Sequence, residues 1–314
     1  MISIIGAFQT KFGELWDKSL EDLIVEAGNG AVNDARLKKN KIDLVIVANM
    51  LADQNHLGAL AVQFLRLNPV PALRVEAACA SGGVAIHQAV TAIKAGEAKN
   101  VLVIGAEKMT DKSNGAIAAE LMGAASVDER QAGLTFVGLY ALMARVYFEK
   151  YQATKDDLAY VAVKNHRHAS KNPKAQYPFP VELETVLKSS CVASPLHLFD
   201  CSPITDGAAA VIVSSQPGDV EICASQIATD SVSLTERESL VEFKATKLAA
   251  QKAYLQAGVG PANIDLAEVH DCFSIAEIMA IEDLGFCSKG EGAKKIKNGD
   301  FDHDGRLPVN LSGG

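Results

Sequence analysis

Cys79 stands in a run of small residues, Ala77-Ala78-Cys79-Ala80-Ser81-Gly82-Gly83, and this is the segment of the 314-residue sequence best suited to covalent chemistry. An extended stretch, Leu73 to Ala78, precedes it, and a helical pattern carrying Val84, Ile86, Ala89, Val90 and Ile93 follows. The cysteine is therefore predicted at a strand-to-helix turn, where free amides and the positive end of the helix dipole lower a thiol pKa to roughly 3.5–7.5. A thiolate nucleophile at neutral pH is the expectation. The flanking alanines and glycines leave room for a thioester to approach, and backbone amides at such a turn hold a developing oxyanion. The alternative is a small buried core cysteine; the glycine-rich turn weighs against it.

A second group, His270-Asp271-Cys272-Phe273, follows the strand-like Leu266 to Val269 and precedes the helical pattern Ile275 to Leu284. Open α/β sheets bind ligands at the carboxyl ends of their strands, which is where this polar pair falls. His270 is placed to donate a hydrogen bond to a thioester oxygen, or to hold a water that does so. A capping His-Asp pair without a ligand is the alternative, and Cys272 receives no catalytic role.

The elements that position these groups alternate between strand and helix, predicting an α/β fold with helices on mostly parallel sheets. Ile2 to Gly6, Leu44 to Ala48, Val101 to Gly105, Ala208 to Val213 and Val220 to Ser225 read as strands. Ser19 to Ala35 reads as a helix with Ser19 as N-cap and Leu20, Leu23, Ile24, Ala27 and Ala31 on one face; Phe243 to Ala257 reads the same way. From about Asp111 to Cys201 the pattern is an excursion between two strands, with a polar segment Asn165 to Lys174 and the proline-rich Tyr177-Pro178-Phe179-Pro180.

The two helices expose a duplication. Ile42-Asp43-Leu44 recurs as Ile264-Asp265-Leu266, and at the same 222-residue offset Ala27, Ala31, Ala35 and Leu37 meet Ala249, Ala253, Ala257 and Val259. The turn Cys79-Ala80-Ser81-Gly82-Gly83 is echoed by Asn310-Leu311-Ser312-Gly313-Gly314. In the first copy a helix and a strand follow, so the second copy is expected to be incomplete, with at least those two elements missing. Chance similarity is the competing account of such short matches.

The bulk properties are those of a folded protein with a sizeable core: 48% hydrophobic residues and a formal charge of -8. An acidic balance, with a pI near 5.4, excludes a general nucleic-acid or membrane-surface binder. Met1-Ile2-Ser3-Ile4-Ile5-Gly6 has no basic leader, and no apolar run approaches the roughly 18 residues of a membrane span. A cytoplasmic protein is expected on that ground, and reduced thiols are expected because the six cysteines are far apart.

Five motifs in order, the Cys79 turn, Glu107-Lys108-Met109-Thr110, Cys201-Ser202-Pro203-Ile204-Thr205-Asp206-Gly207-Ala208, His270-Asp271-Cys272-Phe273 and Asn310-Leu311-Ser312-Gly313-Gly314, resemble the thiolases over the whole chain. The similarity is greatest to archaeal acetoacetyl-CoA thiolases and the sterol-carrier-protein type, which carry His-Asp-x-Phe where other thiolases have Asn-Glu-x-Phe. The resemblance implies a five-layered αβαβα core of two related halves. In that arrangement residues 1–110 and 202–215 form the first half, 111–201 a loop domain covering coenzyme A, and 216–314 a truncated second half. It also implies acyl transfer between CoA thioesters, most simply two acetyl-CoA to acetoacetyl-CoA and CoA or the reverse, with no cofactor beyond coenzyme A. Cys79 matches the acylated nucleophile, His270 an oxyanion-hole contributor, and Ser202 a serine lining the pantetheine pocket. Homodimers or homotetramers are implied, as is a complex with hydroxymethylglutaryl-CoA synthase through a small bridging protein.

Coenzyme A phosphates need positive charge, and Asn165-His166-Arg167-His168 with Lys171 and Lys174 is the best local supply; a solvated polar loop is the alternative. In one respect the sequence departs from the family. Thiolases continue from Asn-x-Ser-Gly-Gly to a Gly-His-Pro motif whose histidine activates the cysteine, and those residues are not in this sequence. An incomplete version of a longer enzyme, impaired in turnover, is the expectation. A non-catalytic acyl-CoA-binding or partner-docking subunit is one competing reading. A ketoacyl synthase or hydroxymethylglutaryl-CoA synthase relative is another, and the His-Asp-x-Phe motif speaks against it.

Overall fold

Ser19 and Asp22 cap the first long helix reciprocally: the Ser19 hydroxyl accepts from the Asp22 amide at 3.1 Å and the Asp22 carboxylate accepts from the Ser19 amide at 2.9 Å. The helix then buries Leu23, Ile24, Ala27 and Ala31 completely, the face their spacing predicts. This is a computed structural model that describes residues 1–314. The chain divides into two compact units, one of Met1–Ser113 with Ile204–Ile227 and one of Asn114–Pro203 with Ala228–Gly314.

In chain order the first unit opens with β1 (Ser3–Gln9), α1 (Leu20–Asp34), β2 (Leu44–Ala48), α2 (Leu57–Phe64), β3 (Ala72–Val75), α3 (Ser81–Lys94) and β4 (Asn100–Glu107). The second unit contributes α4 (Asn114–Leu121), α5 (Val127–Gln131), α6 (Phe136–Tyr151), α7 (Lys155–Ala169), α8 (Leu183–Lys188), β5 (Cys191–Ala193) and β6 (Leu196–His197). The first unit resumes with β7 (Gly207–Ser214) and β8 (Val220–Glu221), and the second ends with α9 (Lys244–Ala257), α10 (Ser274–Asp283) and α11 (Gly292–Lys297).

The first unit is a six-stranded sheet in the order β3-β2-β4-β7-β1-β8. Alternate side chains feed opposite faces. Val45, Val47, Leu102 and Ile104 pack with α1 and α2, while Ile46, Ala48, Val101 and Val103 pack with α3. The sheet is mixed, not mostly parallel as predicted: β2 runs parallel to β3 and β4, but β7 is antiparallel to both β4 and β1, and β8 to β1. Asp206 supplies the reason. Its carboxylate accepts from the amides of Met109 and Thr110 at 2.7 and 2.9 Å, so the chain rejoins the sheet beside the end of β4 and must run back along it.

Buried Asp206 also accepts from the Leu15 amide at 3.0 Å, the Thr110 hydroxyl at 2.6 Å and the Lys108 ammonium at 2.8 Å. Burial alone raises a carboxyl pKa; these hydrogen bonds and the adjacent ammonium outweigh it and hold the group down at about 2.

The strand expected at Val220 to Ser225 shortens to Val220–Glu221, because its one neighbour is the start of β1 and pairing ends with the Ile222 amide on the Ile2 carbonyl. In the second unit, α10 is buried along its whole length, with Ile275, Ile278, Met279 and Ile281 at the centre of a core shared with Tyr147, Leu158, Val161, Phe301 and Val309. The expected strand Leu266 to Val269 is one bridge, Ala267 with Val309, since only the 308–310 backbone lies alongside to pair with it. The duplication has a structural counterpart: the 3₁₀ turns Lys39–Lys41 and Pro261–Asn263 recur at 222 residues, the difference between 261 and 39, each followed by an extended isoleucine. No helix is long and apolar enough to cross a membrane.

Asp206→Asn should lower unfolding stability by about 1.5–3 kcal/mol at pH 7, since it removes the buried carboxylate that accepts from the Lys108 ammonium and leaves that ammonium only the exposed Asp111, at 3.0 Å, as an ion-pair partner. The folded pKa of Asp206 is depressed, so its contribution is complete above the carboxylate reference of 3.8 and disappears as pH falls towards about 2. Urea unfolding of both proteins at a series of pH values measures this; equal midpoints at pH 7 would contradict it.

Candidate active site

Strand β3 ends at Val75, and the chain then turns through Ala78, whose φ of 48° is left-handed and costly for a residue with a Cβ. Ser81 fixes that turn: its hydroxyl accepts from the Ala77 amide at 2.8 Å and donates to the Ala78 carbonyl at 2.6 Å. The Glu76 carboxylate accepts from the Ala78 amide at 2.6 Å. Cys79 follows at the crest, exposed, two residues before the first residue of α3. No side chain caps α3, and a Cβ at Gly82 or Gly83 would meet nothing within 4 Å. The first amides of the helix therefore border open space beside the thiol, the arrangement a developing oxyanion needs.

The thiol's acidity departs from expectation. Solvent reaches Cys79, yet the protein around it displaces enough water to push its pKa above the usual thiol value, its own backbone amide pulls the other way, and the Glu107 charge raises it further. Desolvation and a neighbouring carboxylate thus outweigh the helix terminus, and the isolated cysteine is a protonated thiol. Glu107, at the end of β4, is itself pushed up by burial and is held by Asn49 Nδ2 at 3.0 Å, the Leu51 amide at 3.2 Å and the Met50 amide. The guanidinium of Arg74 ties the same loop by donating to the carbonyls of Asn49 and Met50 at 3.2 and 3.0 Å. The loops after β2, β3 and β4 thereby meet at one end of the sheet.

His270 belongs to the second unit. Solvent reaches its ring, yet the surrounding protein displaces enough water to lower its pKa, so the imidazole is neutral at pH 7. Ser202 is tied to the segment that follows His270: the Ser202 amide donates to the Cys272 carbonyl at 3.0 Å, and Cys201 bridges Phe273. Phe273 is buried with its ring centroid 4.5 Å from that of Tyr140. Cys272 points into the apolar core, and burial pushes Cys201 and Cys287 up to about 12.

Beneath His270 lies a buried polar cluster. Glu277, fully buried on α10, pairs with the Lys164 ammonium at 3.0 Å and accepts at Oε2 from Asn165 at 2.7 Å and Asn310 at 2.9 Å. Asn165 Nδ2 also donates to Asp271 at 2.8 Å, and burial together with the Glu277 charge pushes Asp271 upward.

The basic segment does not take the form of the solvated loop given as the alternative. Asn165 to Ala169 is the last turn of α7, not a polar loop, because α7 is capped at Thr154 by Asp157 and its Leu158, Val161 and Ala162 face the core. Asn165 and His168 are buried, and Arg167 is half-exposed and paired with Asp302 at 2.6 Å. Lys171 is exposed.

Two family descriptions match the chain: "Thiolase, N-terminal domain" over residues 2–217 and "Thiolase C-terminal domain-like" over residues 227–314. The chain belongs to the thiolase family. It is 45% identical to the acetyl-CoA acetyltransferase of Methanothermobacter thermautotrophicus, covering 100% of this chain and 84% of that protein. It is 30% identical to the sterol carrier protein 2 of Bos taurus, covering 100% of this chain and 62% of that protein. Among solved structures it resembles the Ltp2-ChsH2(DUF35) aldolase, with a TM-score of 0.86 and 27% identity, covering 100% of this chain and 84% of that one. Thiolase function, and with it enzymatic acyl transfer, follows from this membership. The likeness to archaeal and sterol-carrier-type thiolases drawn from the motifs is confirmed.

Sequence reasoning passed over Glu107, Lys164 and Glu277. Glu107 stood inside a quoted motif, and Glu277 interrupts the apolar pattern Ile275 to Leu284, which is the one signal that marked it. Iodoacetamide should alkylate Cys79 with a pH dependence centred above 9, and Glu107→Gln should shift that midpoint downward, because a charge that disfavours the thiolate is removed. Peptide mapping of the alkylated cysteine checks both; a midpoint below 8 in the unaltered protein would contradict the desolvated thiol.

Proposed function

We propose that this thiolase is an acetyl-CoA C-acetyltransferase, interconverting two acetyl-CoA with acetoacetyl-CoA and CoA through an acyl group carried on Cys79. The observation that carries the reading is the Cys79 turn: a nucleophile at the crest of a locked elbow, with an uncapped, glycine-lined helix start beside it. The 45% identity to an acetyl-CoA acetyltransferase supports the choice of acyl group. The Cys79 sulfur attacks the thioester carbonyl carbon and CoA departs as its thiol carrying the cysteine's proton; a second acetyl-CoA then loses its α-proton, its carbanion attacks the acyl-cysteine to form the carbon–carbon bond and break the carbon–sulfur bond, and that proton returns to the released Cys79 sulfur. His270, neutral and without a hydrogen bond of its own, is assigned as donor to a thioester oxygen, and Ser202 to the pantetheine arm. Arg167 and Lys171 are assigned to the CoA phosphates, Arg167 exchanging Asp302 for phosphate. Coenzyme A is substrate and product, and no further cofactor enters this scheme.

A homodimer or homotetramer is proposed as the assembled state. A complex with hydroxymethylglutaryl-CoA synthase through a small bridging protein is proposed as well; the likeness to the Ltp2-ChsH2(DUF35) aldolase supports assembly with a second protein and does not bear on the synthase. The raised pKa of Cys79 favours one competing reading, an acyl-CoA-binding subunit without turnover. Thiolysis of acetoacetyl-CoA by the native protein separates the two. Cys79→Ala should abolish the reaction, and His270→Ala should lower kcat by about 10²–10³-fold, as removal of one oxyanion donor does. Acetyl-CoA binding by calorimetry with no cleavage or condensation would reject the enzyme reading in favour of the subunit.

A further inference from the structure

His270 has no partner for its ring, so its aim depends on the backbone that carries it. Two side chains fasten that backbone. The Val269 amide donates to Asn310 Oδ1 at 2.8 Å, and the Asp271 carboxylate accepts from Asn165 Nδ2 at 2.8 Å. Asn310 is fully buried with a left-handed φ of 58°, a conformation that asparagine tolerates when its side chain is bonded locally. Both asparagines converge on one atom: Glu277 Oε2 accepts from Asn165 at 2.7 Å and from Asn310 at 2.9 Å. The other oxygen of Glu277 faces the Lys164 ammonium at 3.0 Å, and that ammonium also donates to the Val309 carbonyl at 2.8 Å, next to Asn310. Lys164 and Glu277 are 1% and 0% exposed. Three segments distant in sequence, the end of α7, the His270 turn with α10, and residues 309–310, therefore share one buried carboxylate.

We propose that Glu277, charge-balanced by Lys164, is the positioning residue for His270, holding through Asn165 and Asn310 the backbone on both sides of the imidazole. This rests on the reading of His270 as a thioester-oxygen donor. A buried ion pair is weak evidence for stability in itself, since an apolar pair of similar size does as well. What it supplies here is an acceptor of fixed direction for two amides. Glu277→Gln tests that direction. The ammonium draws the glutamine oxygen to itself and turns the glutamine NH₂ towards the amides of Asn165 and Asn310, donor facing donor. Adding Lys164→Met removes the competitor, and with it a donor to Asn165 Oδ1 at 2.5 Å; the glutamine oxygen returns to the two amides, and Asn165 stays held through its Nδ2.

The test is steady-state thiolysis of acetoacetyl-CoA, with thermal unfolding of every variant measured alongside. Glu277→Gln should lower kcat about 10- to 100-fold with KM within about twofold, the loss expected of a catalytic group displaced by about 1 Å. The double variant Lys164→Met/Glu277→Gln should recover most of that kcat. Asn165→Leu, which removes one of the two fasteners and leaves the ion pair, keeps the test available if Glu277→Gln does not fold, and should also lower kcat at unchanged KM. If His270→Ala lowers kcat while Glu277→Gln and Asn165→Leu, folded, do not, the positioning role is overturned and the function of His270 stands. If the melting temperature falls with no change in kcat of the folded protein, the cluster is structural only, and if the double variant is as slow as Glu277→Gln, the direction of the Glu277 acceptor is not what aims His270 and the proposal is overturned. If His270→Ala leaves kcat unchanged, the reading of His270 fails and this inference with it.

Discussion

The carboxylate of Asp206 is the constraint on which the first unit depends. The chain leaves the sheet after β4, is absent from that unit for residues 114–203, and must return in register. Closing so long an excursion costs conformational entropy, although the cost grows only slowly with length. Asp206 offsets it at the point of return by accepting from two backbone amides at the end of β4, the Leu15 amide, the Thr110 hydroxyl and the Lys108 ammonium. Those bonds fix the antiparallel direction of β7. They thereby set the order of the whole sheet, because β7 is the strand that joins β4 to β1.

A sheet so ordered leaves the loops after β2, β3 and β4 together at one end, where Glu107, Arg74 and the Ser81-locked turn determine the shape around Cys79. The chemistry placed there is poised but not spent. A thiol kept protonated by desolvation and by Glu107 resists oxidation and stray acylation, and becomes a nucleophile when its proton is taken in the reaction itself. The second unit follows the same rule with other residues: a buried carboxylate, here Glu277, fixes irregular backbone that no ladder of strand hydrogen bonds secures. Around residues 267–310 a single bridge takes the place of a strand pair, and side-chain amides supply what the ladder does not.

Much of this was legible in the residues. The helix Leu20–Asp34 announces itself through Ser19, Asp22 and a regular apolar stripe, and β2 spans the five residues its β-branched run predicts. The turn at Cys79 was readable because small residues at that density have few other uses. Strand direction was not, because apolar periodicity is the same for parallel and antiparallel neighbours; only the partners of Asp206 decide it. Nor was the protonation of Cys79, since helix-terminus position favours the thiolate and the opposing desolvation depends on residues brought near by folding. The segment Asn165 to Ala169 looked like loop on composition, yet tertiary burial of α7 turned its asparagine inward and made it a fastener rather than a phosphate ligand.

The central claim is that Cys79 is the atom on which acyl groups are carried, and mass-spectrometric localisation of acetyl after brief exposure of the native protein to acetyl-CoA addresses it most directly. The account predicts a single acetyl thioester on the peptide containing Cys79, removed by free CoA. Acetyl on another cysteine, with Cys79 unmodified in protein that binds acetyl-CoA, would contradict it.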